Sequence, residues 1–203
     1  MKPSILFIVP ATYEALVTKS VEHMIFERDE GGFFGKVVTV HPFSPKTKTI
    51  KLNDCHEIHE IGFDLLPGSE RFHILRCIQY PVHFFRIIWN AIRLSKKNQI
   101  DIIRATDPYW IGLFGFICAR VCKIPFCVSI HADYDKRMEL DSNISMSTVL
   151  GSYKLAKRLE RFILPQANMV IPIRETLGEK AIANGVKPEK VKIIPHGIDL
   201  SNR

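Results

Sequence analysis

The sequence lacks paired cysteines and a secretory leader pattern. Its five cysteines are scattered through mostly apolar stretches and include no CxxC pair. Disulfide frameworks and structural zinc sites use regularly paired cysteines, so both classes are disfavoured. The N-terminus enters a strand pattern without the basic region, apolar stretch and cleavage site of a signal peptide. We therefore expect a cytoplasmic protein with reduced, buried thiols.

Common nucleotide-binding and membrane-spanning signatures are also missing. After the first apolar run the chain reads PATYEA, so the GxGxxG of dinucleotide dehydrogenases is absent, and GxxxxGK[ST] occurs nowhere. The longest apolar run, residues 109–119, is well short of the ~20 residues that a spanning helix needs. Cys55, His56 and His59 match neither HExxH nor a paired CxxC pattern, so we predict a surface turn there and no metal site.

What the chain does have is a globular composition with a basic balance. Its 203 residues are 46% hydrophobic and 24% charged, which suits one folded domain. The net charge is +7. A basic protein favours anionic partners, namely nucleotide phosphates, acidic lipid surfaces or nucleic acid, and composition does not choose among them.

Apolar runs of strand length alternate with helical patterns along the chain. This alternation predicts an α/β protein, a Rossmann-like, doubly wound, mostly parallel sheet in three α/β/α layers, formed by residues 1–203 as one domain. The predicted strands are residues 4–10, 36–40, 100–105, 126–130, 167–173 and 191–195, with a short edge strand in 49–54. The predicted helices are 13–28, 71–97 with an interruption at Pro81, 109–122, 153–164 and 175–184, and 58–68 is predicted as a turn-rich connection.

Polar side chains collect where the predicted strands end. Right-handed crossovers bring the carboxyl ends of parallel strands to one edge, where ligands of open α/β sheets bind. The stretch IPFCVSIHADYD, residues 124–135, is the clearest case, because a buried-strand pattern there is followed by a histidine and two carboxylates. The candidates are Thr12, His41, Asp107, His131, Asp133, Arg174, Glu175, His196 and Asp199, and each has the alternative role of a turn or capping residue.

A basic, aromatic region spans residues 71–97. It has two functional interpretations, a helix on a membrane surface or a groove for a partner. The alternative is the outer helix layer of the sheet, with arginines reaching to solvent at its rim. The basic helix predicted at 153–164 adds to the membrane interpretation.

Two segments resemble family 4 glycosyltransferases. Residues 101–135, DIIRATDPYWIGLFGFICARVCKIPFCVSIHADYD, resemble the family's strand–helix–strand segment, with an IP turn and a strand that ends in histidine. Residues 157–200, KRLERFILPQANMVIPIRETLGEKAIANGVKPEKVKIIPHGIDL, resemble the later part of the same half, and the PHGID ending is its most specific motif. The resemblance covers residues 101–203 well and the first strand loosely.

The resemblance implies a GT-B architecture, in which two Rossmann-like domains face a cleft. This chain would be the N-terminal, acceptor-side domain, ending at the interdomain linker, about 196–203. It would take part in retaining transfer of a hexosyl-type group from a nucleotide sugar, as co-substrate, to a glycan or lipid-linked acceptor, as in polysaccharide biosynthesis. The resemblance implies no metal and no further cofactor.

The resemblance also assigns roles to residues by position. His131 matches the strand-end histidine that contacts the transferred sugar, so it is expected to position or polarise that sugar, and His196, Gly197 and Asp199 match the segment that leads into the interdomain linker. From their positions at strand ends, Asp133, Asp107 and Arg174 are expected to orient acceptor or phosphate groups, with Asp133 as the second catalytic residue. The expected substrate-binding residues are Thr12, Asp107, Arg174, Glu175, His196, Gly197 and Asp199.

The chain departs from the family pattern at two places. Residues 11–13 read Ala-Thr-Tyr where the family has a glycine pair against the donor phosphates. Arg174 stands where the family often has serine, and Arg174 or Lys19 would then supply the phosphate contact.

The resemblance stops where the donor-binding half would begin. We therefore expect little or no transferase activity from this chain alone, with the donor half supplied by further sequence or a separate chain. The alternative hypothesis is a non-enzymatic scaffold that recruits a catalytic chain to the inner face of a membrane through residues 71–97. Nucleic acid is not an expected partner, and a small Rossmann hydrolase or regulator has no motif in its favour.

Overall fold

Seven strands form a mostly parallel sheet in the computed structural model, which describes residues 2–20, 23–63, 73–132 and 153–195. The strands are β1 (Ser4–Ile8), β2 (Lys36–Ser44), β3 (Lys48–Lys51), β4 (His56–Gly62), β5 (Ile102–Ala105), β6 (Phe126–Ile130) and β7 (Met169–Pro172). Their order is β3-β4-β2-β1-β5-β6-β7. The helices are α1 (Tyr13–Thr18), α2 (His23–Phe26), α3 (His73–Lys97), α4 (Trp110–Cys122), α5 (Tyr153–Gln166) and α6 (Glu175–Ala183), with 3₁₀ turns at Glu27–Asp29 and Pro188–Lys190. The predicted Rossmann-like α/β class is confirmed.

The chain divides into two compact units. Unit 1 holds residues 1–104 and 114–125, and unit 2 holds residues 105–113 and 126–203. Each unit is described by itself below. That the whole chain forms one domain stays a prediction.

The core of unit 1 lies on β1 and β2. These strands pair in parallel, from Ser4 opposite Lys36 to Ile8 opposite Val40. An inner parallel strand is covered on both faces and so carries apolar side chains in succession, which explains the run SILFI. The apolar cluster on one face consists of Ile5, Phe7, Val9, Phe34 and Val37.

Residues 56–62 correct the prediction of a turn-rich connection. They form β4, which pairs in parallel with β2 and antiparallel with the edge strand β3. The sequence HEIHEI is polar, but it forms a buried strand. His56 and Glu60 can be buried because each has a polar partner inside unit 1. The predicted surface turn is therefore wrong at His56, which is 1% exposed. The short edge strand predicted nearby is confirmed as β3.

Two predictions about helices in unit 1 are wrong: one helix predicted as continuous is broken, and one predicted break in a helix is absent. The helix predicted at 13–28 is broken, because Ser20 has a φ of 53°, in the left-handed region that an α-helix excludes. The interruption predicted at Pro81 does not occur, and α3 continues through it. A proline inside a helix costs about 3 kcal/mol. Buried side chains such as Ile87 and Leu94 each contribute about 2 kcal/mol, which offsets that cost.

Unit 2 follows its prediction closely. β6 and β7 pair in parallel from Cys127 opposite Met169 to Ile130 opposite Pro172. α6 is followed by Gly185 with a φ of 93°, the left-handed position after a helix end that glycine adopts most easily. The strand predicted at 191–195 is reduced to one parallel bridge between Val170 and Val191, with two further backbone hydrogen bonds from residues 192 and 194.

Among the described helices, none combines the length and the apolar character needed to cross a membrane.

Candidate functional site

Three of the predicted site residues lie at the carboxyl ends of neighbouring strands in unit 2. Asp107 comes two residues after β5, His131 directly after β6, and Arg174 two residues after β7. β5, β6 and β7 are adjacent in the sheet. The N–H of Ile173 donates to the carbonyl oxygen of Ile130 at 3.2 Å, which extends the β6–β7 pairing to the point where both strands end. These three side chains therefore share one sheet edge.

Asp107 is buried and holds the beginning of α4. Its Oδ1 accepts the backbone N–H of Tyr109 at 2.8 Å. Burial raises the pKa of Asp107 to about 7, although hydrogen bonds from the backbone of Tyr109, Ile111 and Gly112 favour the carboxylate. The side chain is 2% exposed, so its visible role is to satisfy N–H groups at a helix start. Ligand binding by Asp107 stays a prediction.

Gly112 explains how closely α4 approaches this loop. A Cβ at this position would lie 2.8 Å from the carbonyl oxygen of Asp107 and 3.0 Å from Cγ2 of Ile163. Only glycine fits at those distances, because real Cβ atoms do not approach a backbone oxygen so closely. The glycine thus fixes the position of the Asp107 loop against α4 and α5.

His131 and Arg174 are more accessible than Asp107. His131 is half-buried, and Arg174 and Glu175 are exposed at the start of α6. Arg174 occupies the N-cap position with extended backbone and makes no capping hydrogen bond through its side chain. A cation at the N-terminus of a nine-residue helix adds to the positive end of the helix dipole, so this end favours an anionic group. An imidazole and a guanidinium at one edge can together contact a sugar and a phosphate.

Thr12, the candidate in unit 1, caps α1. Its hydroxyl oxygen accepts the N–H of Ala15 at 3.1 Å. The same loop is held by two buried side chains. His41 donates through Nδ1 to the carbonyl oxygen of Ala11, and Oε1 of Glu60 accepts the N–H of Tyr13 at 2.8 Å. This first loop is therefore fixed by β2 and β4, and binding of a ligand by Thr12 stays a prediction.

His41 itself lies inside β2 and not at its end. β2 runs on to Ser44, with an irregular register between His41 and Ser44. The side chain of His41 is fully buried, and burial lowers its pKa to about 3, with nearby Arg28 and His56 adding to the effect. Because a carbonyl only accepts hydrogen bonds, Nδ1 carries the proton and Nε2 is an acceptor.

A polar row beside His41 was not predicted from the sequence. Arg28 donates from Nη1 to the hydroxyl oxygen of Thr39 at 3.0 Å, and Thr39 Oγ1 lies 2.9 Å from Nε2 of His56. A hydroxyl oxygen can accept two hydrogen bonds, so which of Thr39 and His56 donates in this contact depends on the tautomer of the histidine. Burial lowers the pKa of His56 to about 4. The only sequence signal for this row was the spacing of histidine and glutamate in β4.

The remaining site residues fall outside the described residues. These are Asp133, His196, Gly197 and Asp199. Within the described ranges, no three His, Cys, Asp or Glu side chains are grouped as they would be to hold a metal ion.

Comparison with known protein families identifies one match over nearly the whole chain. The model of the family described as Glycosyltransferase Family 4 matches residues 19–202. Alpha-monoglucosyldiacylglycerol synthase from Streptococcus pneumoniae (strain ATCC BAA-255 / R6) is 29% identical over 117 residues, which are 58% of this chain and 25% of that protein.

Solved structures with little sequence identity share the fold. Sucrose-phosphate synthase from Thermosynechococcus elongatus matches with a TM-score of 0.58 at 12% identity. The match covers 97% of this chain and 90% of the solved chain of that protein. Anabaena Alr3699/HepE in complex with UDP and glucose has a TM-score of 0.51 at 13% identity, over 97% of this chain and 45% of its own. The matched part of this chain thus spans a quarter of the Streptococcus pneumoniae protein, and the chain spans under half of the Anabaena protein.

Proposed function

The chain belongs to glycosyltransferase family 4, and we propose that it is the N-terminal, acceptor-binding half of a retaining transferase that uses a nucleotide sugar. The observation that carries the proposal is the family match over residues 19–202, joined to the strand-end site of unit 2. The proposal is supported by the position of these strand ends, because ligands of open α/β sheets bind outside the carboxyl ends of the strands.

Each group at the strand-end site has a role in this proposal. His131 positions or polarises the sugar that is transferred, helped by Asp133. Arg174 and the start of α6 hold a phosphate or an acidic acceptor group, because a guanidinium offers several N–H donors in one plane. Asp107 shapes the site through α4. Polar groups that are fixed before the reaction stabilise developing charge without reorganising, which is the largest catalytic effect expected here.

A hexosyl group and a lipid-linked or glycan acceptor are the proposed substrates. Two of the similar proteins support this choice. The Streptococcus pneumoniae relative is named for a glucosylated diacylglycerol, and the Anabaena structure contains UDP and glucose. We propose the nucleotide sugar as the only co-substrate, with no metal or further cofactor.

Sugar transfer by the isolated chain tests the proposal that the chain is half of a catalytic unit. Residues 1–203 are purified alone, and also together with the product encoded in continuation of the reading frame or beside it. Both samples receive UDP-glucose and diacylglycerol or a glycan acceptor, and product is measured by mass spectrometry. We expect product only from the combined sample. Rapid turnover by residues 1–203 alone would show that the donor half is not required.

The outer face of α3 favours a second, membrane-related function. Val82, Phe85 and Trp89 are spaced on one helix face and are 60%, 68% and 70% exposed. Side chains on the opposite face, such as Ile87 and Ala91, are fully buried. Contiguous exposed apolar side chains are uncommon on a soluble surface and mark a binding face.

Basic side chains accompany this apolar stripe. They are Arg86, Arg93, Lys96 and Lys97, all on α3. An amphipathic helix with Trp and Phe on one side and Lys and Arg around them binds the interface of an anionic membrane, and each basic residue adds about 1 kcal/mol. The proposed partner of α3 is therefore the anionic inner face of a membrane. In the scaffold alternative, this binding is the whole function of the chain, and a separate protein is catalytic.

Vesicle sedimentation tests the membrane proposal. The protein is mixed at moderate salt with vesicles of phosphatidylcholine alone or with added phosphatidylglycerol. We expect binding to the anionic vesicles only, and its loss in the double variant Phe85→Ser, Trp89→Ser. The control is Phe33→Ser, which removes an exposed aromatic residue from the turn before β2. Equal binding by the double variant and the control would exclude α3 as the membrane-binding face. Vesicle binding without transfer by the combined sample would favour the scaffold.

A further inference from the structure

Helix α5 of unit 2 presents a stripe of cationic side chains to solvent. Lys154, Arg158 and Arg161 are all exposed. Their spacing of four and then three residues aligns them along one face of the helix. Among the described side chains, no carboxylate forms an ion pair with any of these three. Their positive charge is therefore available to a partner.

An apolar stripe lies beside the cationic one. Leu155 and Phe162 are seven residues apart, so they lie two turns apart on one side of the helix. Their side chains are 40% and 50% exposed. Each of them directly follows a residue of the cationic stripe in the sequence, so an apolar side chain and a cation lie side by side on the helix. The outward face of α5 thus combines positive charge with apolar area.

Packing of the core does not account for this outward face. α5 packs into unit 2 through its opposite side, where Ala156, Ile163 and Leu164 are fully buried. The one acidic residue of the helix, Glu160, is 9% exposed and pairs with Lys157. The outward face of α5 therefore carries three cations and no carboxylate, a charge pattern that complements an anionic surface.

We infer that the outward face of α5 binds the surface of a membrane that contains anionic phospholipids. Lipid phosphates accept hydrogen bonds from guanidinium and ammonium groups. Leu155 and Phe162 are then covered by the boundary between the headgroups and the acyl chains. A nucleic acid offers phosphates too, but its backbone offers no apolar layer for the exposed leucine, so a lipid surface is the better match.

This surface is separate from the membrane-binding face proposed for α3. The exposed stripe of α3 is mainly apolar, whereas α5 presents mainly charge, and the two helices belong to different compact units. Binding by α5 should therefore depend strongly on the charge of the lipid and on salt. It does not depend on the proposed transferase function, and it is measured without a donor sugar.

Vesicle sedimentation with variants of residues 1–203 tests the α5 surface. The vesicles contain phosphatidylcholine and phosphatidylglycerol at about 0.15 M salt, where charges far from the lipid surface are screened. Arg158→Gln with Arg161→Gln should weaken binding about 30-fold, because two basic residues near an anionic surface are lost. The matched control, Lys123→Gln with Lys192→Gln, removes two exposed lysines outside α5 and should bind as the wild type does. Arg158→Lys with Arg161→Lys keeps the charge and should also bind as the wild type does.

Three results would overturn the inference. The first is a lack of wild-type binding to the anionic vesicles. The second is equal binding by the arginine-to-glutamine variant and the lysine control; if Phe85→Ser with Trp89→Ser still loses binding, the α3 proposal stands and only that for α5 fails. The third comes from a short duplex DNA as a competitor. If the DNA binds more tightly than the vesicles, and the arginine-to-glutamine variant loses mainly that binding, the partner is a nucleic acid.

Discussion

The buried histidines of unit 1 make its stability depend on pH in a direction that can be calculated. The pKa of His41 is lowered from 6.5 to about 3 and that of His56 to about 4, in both cases chiefly by burial. As the pH falls below 6.5, the unfolded chain takes up a proton at each site while the folded chain stays neutral there. Acid therefore stabilises the unfolded state. Between about pH 7.5 and about pH 5, each histidine should lower the free energy of unfolding by about 2 kcal/mol.

Asp107 acts in the opposite direction over the same range. Its pKa is raised to about 7, so the folded state takes up a proton there before the unfolded state does. Stability from this group is present at low pH and is lost as the pH rises through 7. The total pH dependence of the chain is therefore smaller than the sum of the two histidines, and a variant is needed to isolate one group.

His41→Asn isolates His41. The asparagine Nδ2 replaces the histidine Nδ1 as the donor to the carbonyl oxygen of Ala11, and asparagine does not titrate. Urea unfolding of both proteins is measured between about pH 7.5 and about pH 5, where the wild type should lose about 2 kcal/mol more than the variant. The contribution of Asp107 cancels in this difference. Parallel pH profiles would show that His41 is not held neutral by burial, and the account of the polar row in unit 1 would fail.

Two further predictions concern the loops that support the strand ends. Gly112→Ala should lower the free energy of unfolding by about 1–3 kcal/mol, because the added methyl group overlaps the carbonyl oxygen of Asp107 and Cγ2 of Ile163; urea unfolding measures it, and an unchanged stability would show that α4 moves freely away from the loop. Thr12→Ala should cost about 1 kcal/mol by removing the cap of α1, whereas Thr18→Ala, at an exposed position of the same helix, should cost much less; equal losses would contradict the capping role.

The elements predicted correctly are those whose burial or end is marked by the type of residue alone. β1 and β6 are runs of apolar residues, and the glycine after α6 marks the end of that helix through its left-handed backbone. The strand-end positions of Asp107, His131 and Arg174 followed from the alternation of strands and helices, because parallel strands end on one edge.

The failures came where polar residues are buried and where tertiary packing overrides local preference. β4 reads as a surface segment, and only its partners in the fold, such as Thr39 and Tyr13, show why His56 and Glu60 are buried. α3 passes through Pro81 because its inner face is packed, which the local sequence does not reveal. The polar row joins Arg28, Thr39 and His56 from a 3₁₀ turn, β2 and β4, so no spacing rule finds it.

If the strand-end site of unit 2 acts in sugar transfer, removal of the His131 side chain should slow that transfer. Transfer of glucose from UDP-glucose is measured with residues 1–203 combined with the donor-binding half, as wild type, His131→Ala and the control Glu179→Ala, an exposed residue of α6. We expect His131→Ala to lower kcat at least about 100-fold, because a positioned polar group at the reacting sugar is lost. Glu179→Ala should be unaffected, and the unfolding temperature should be the same in all three proteins. Wild-type turnover by His131→Ala would show that the strand-end site takes no part in the reaction.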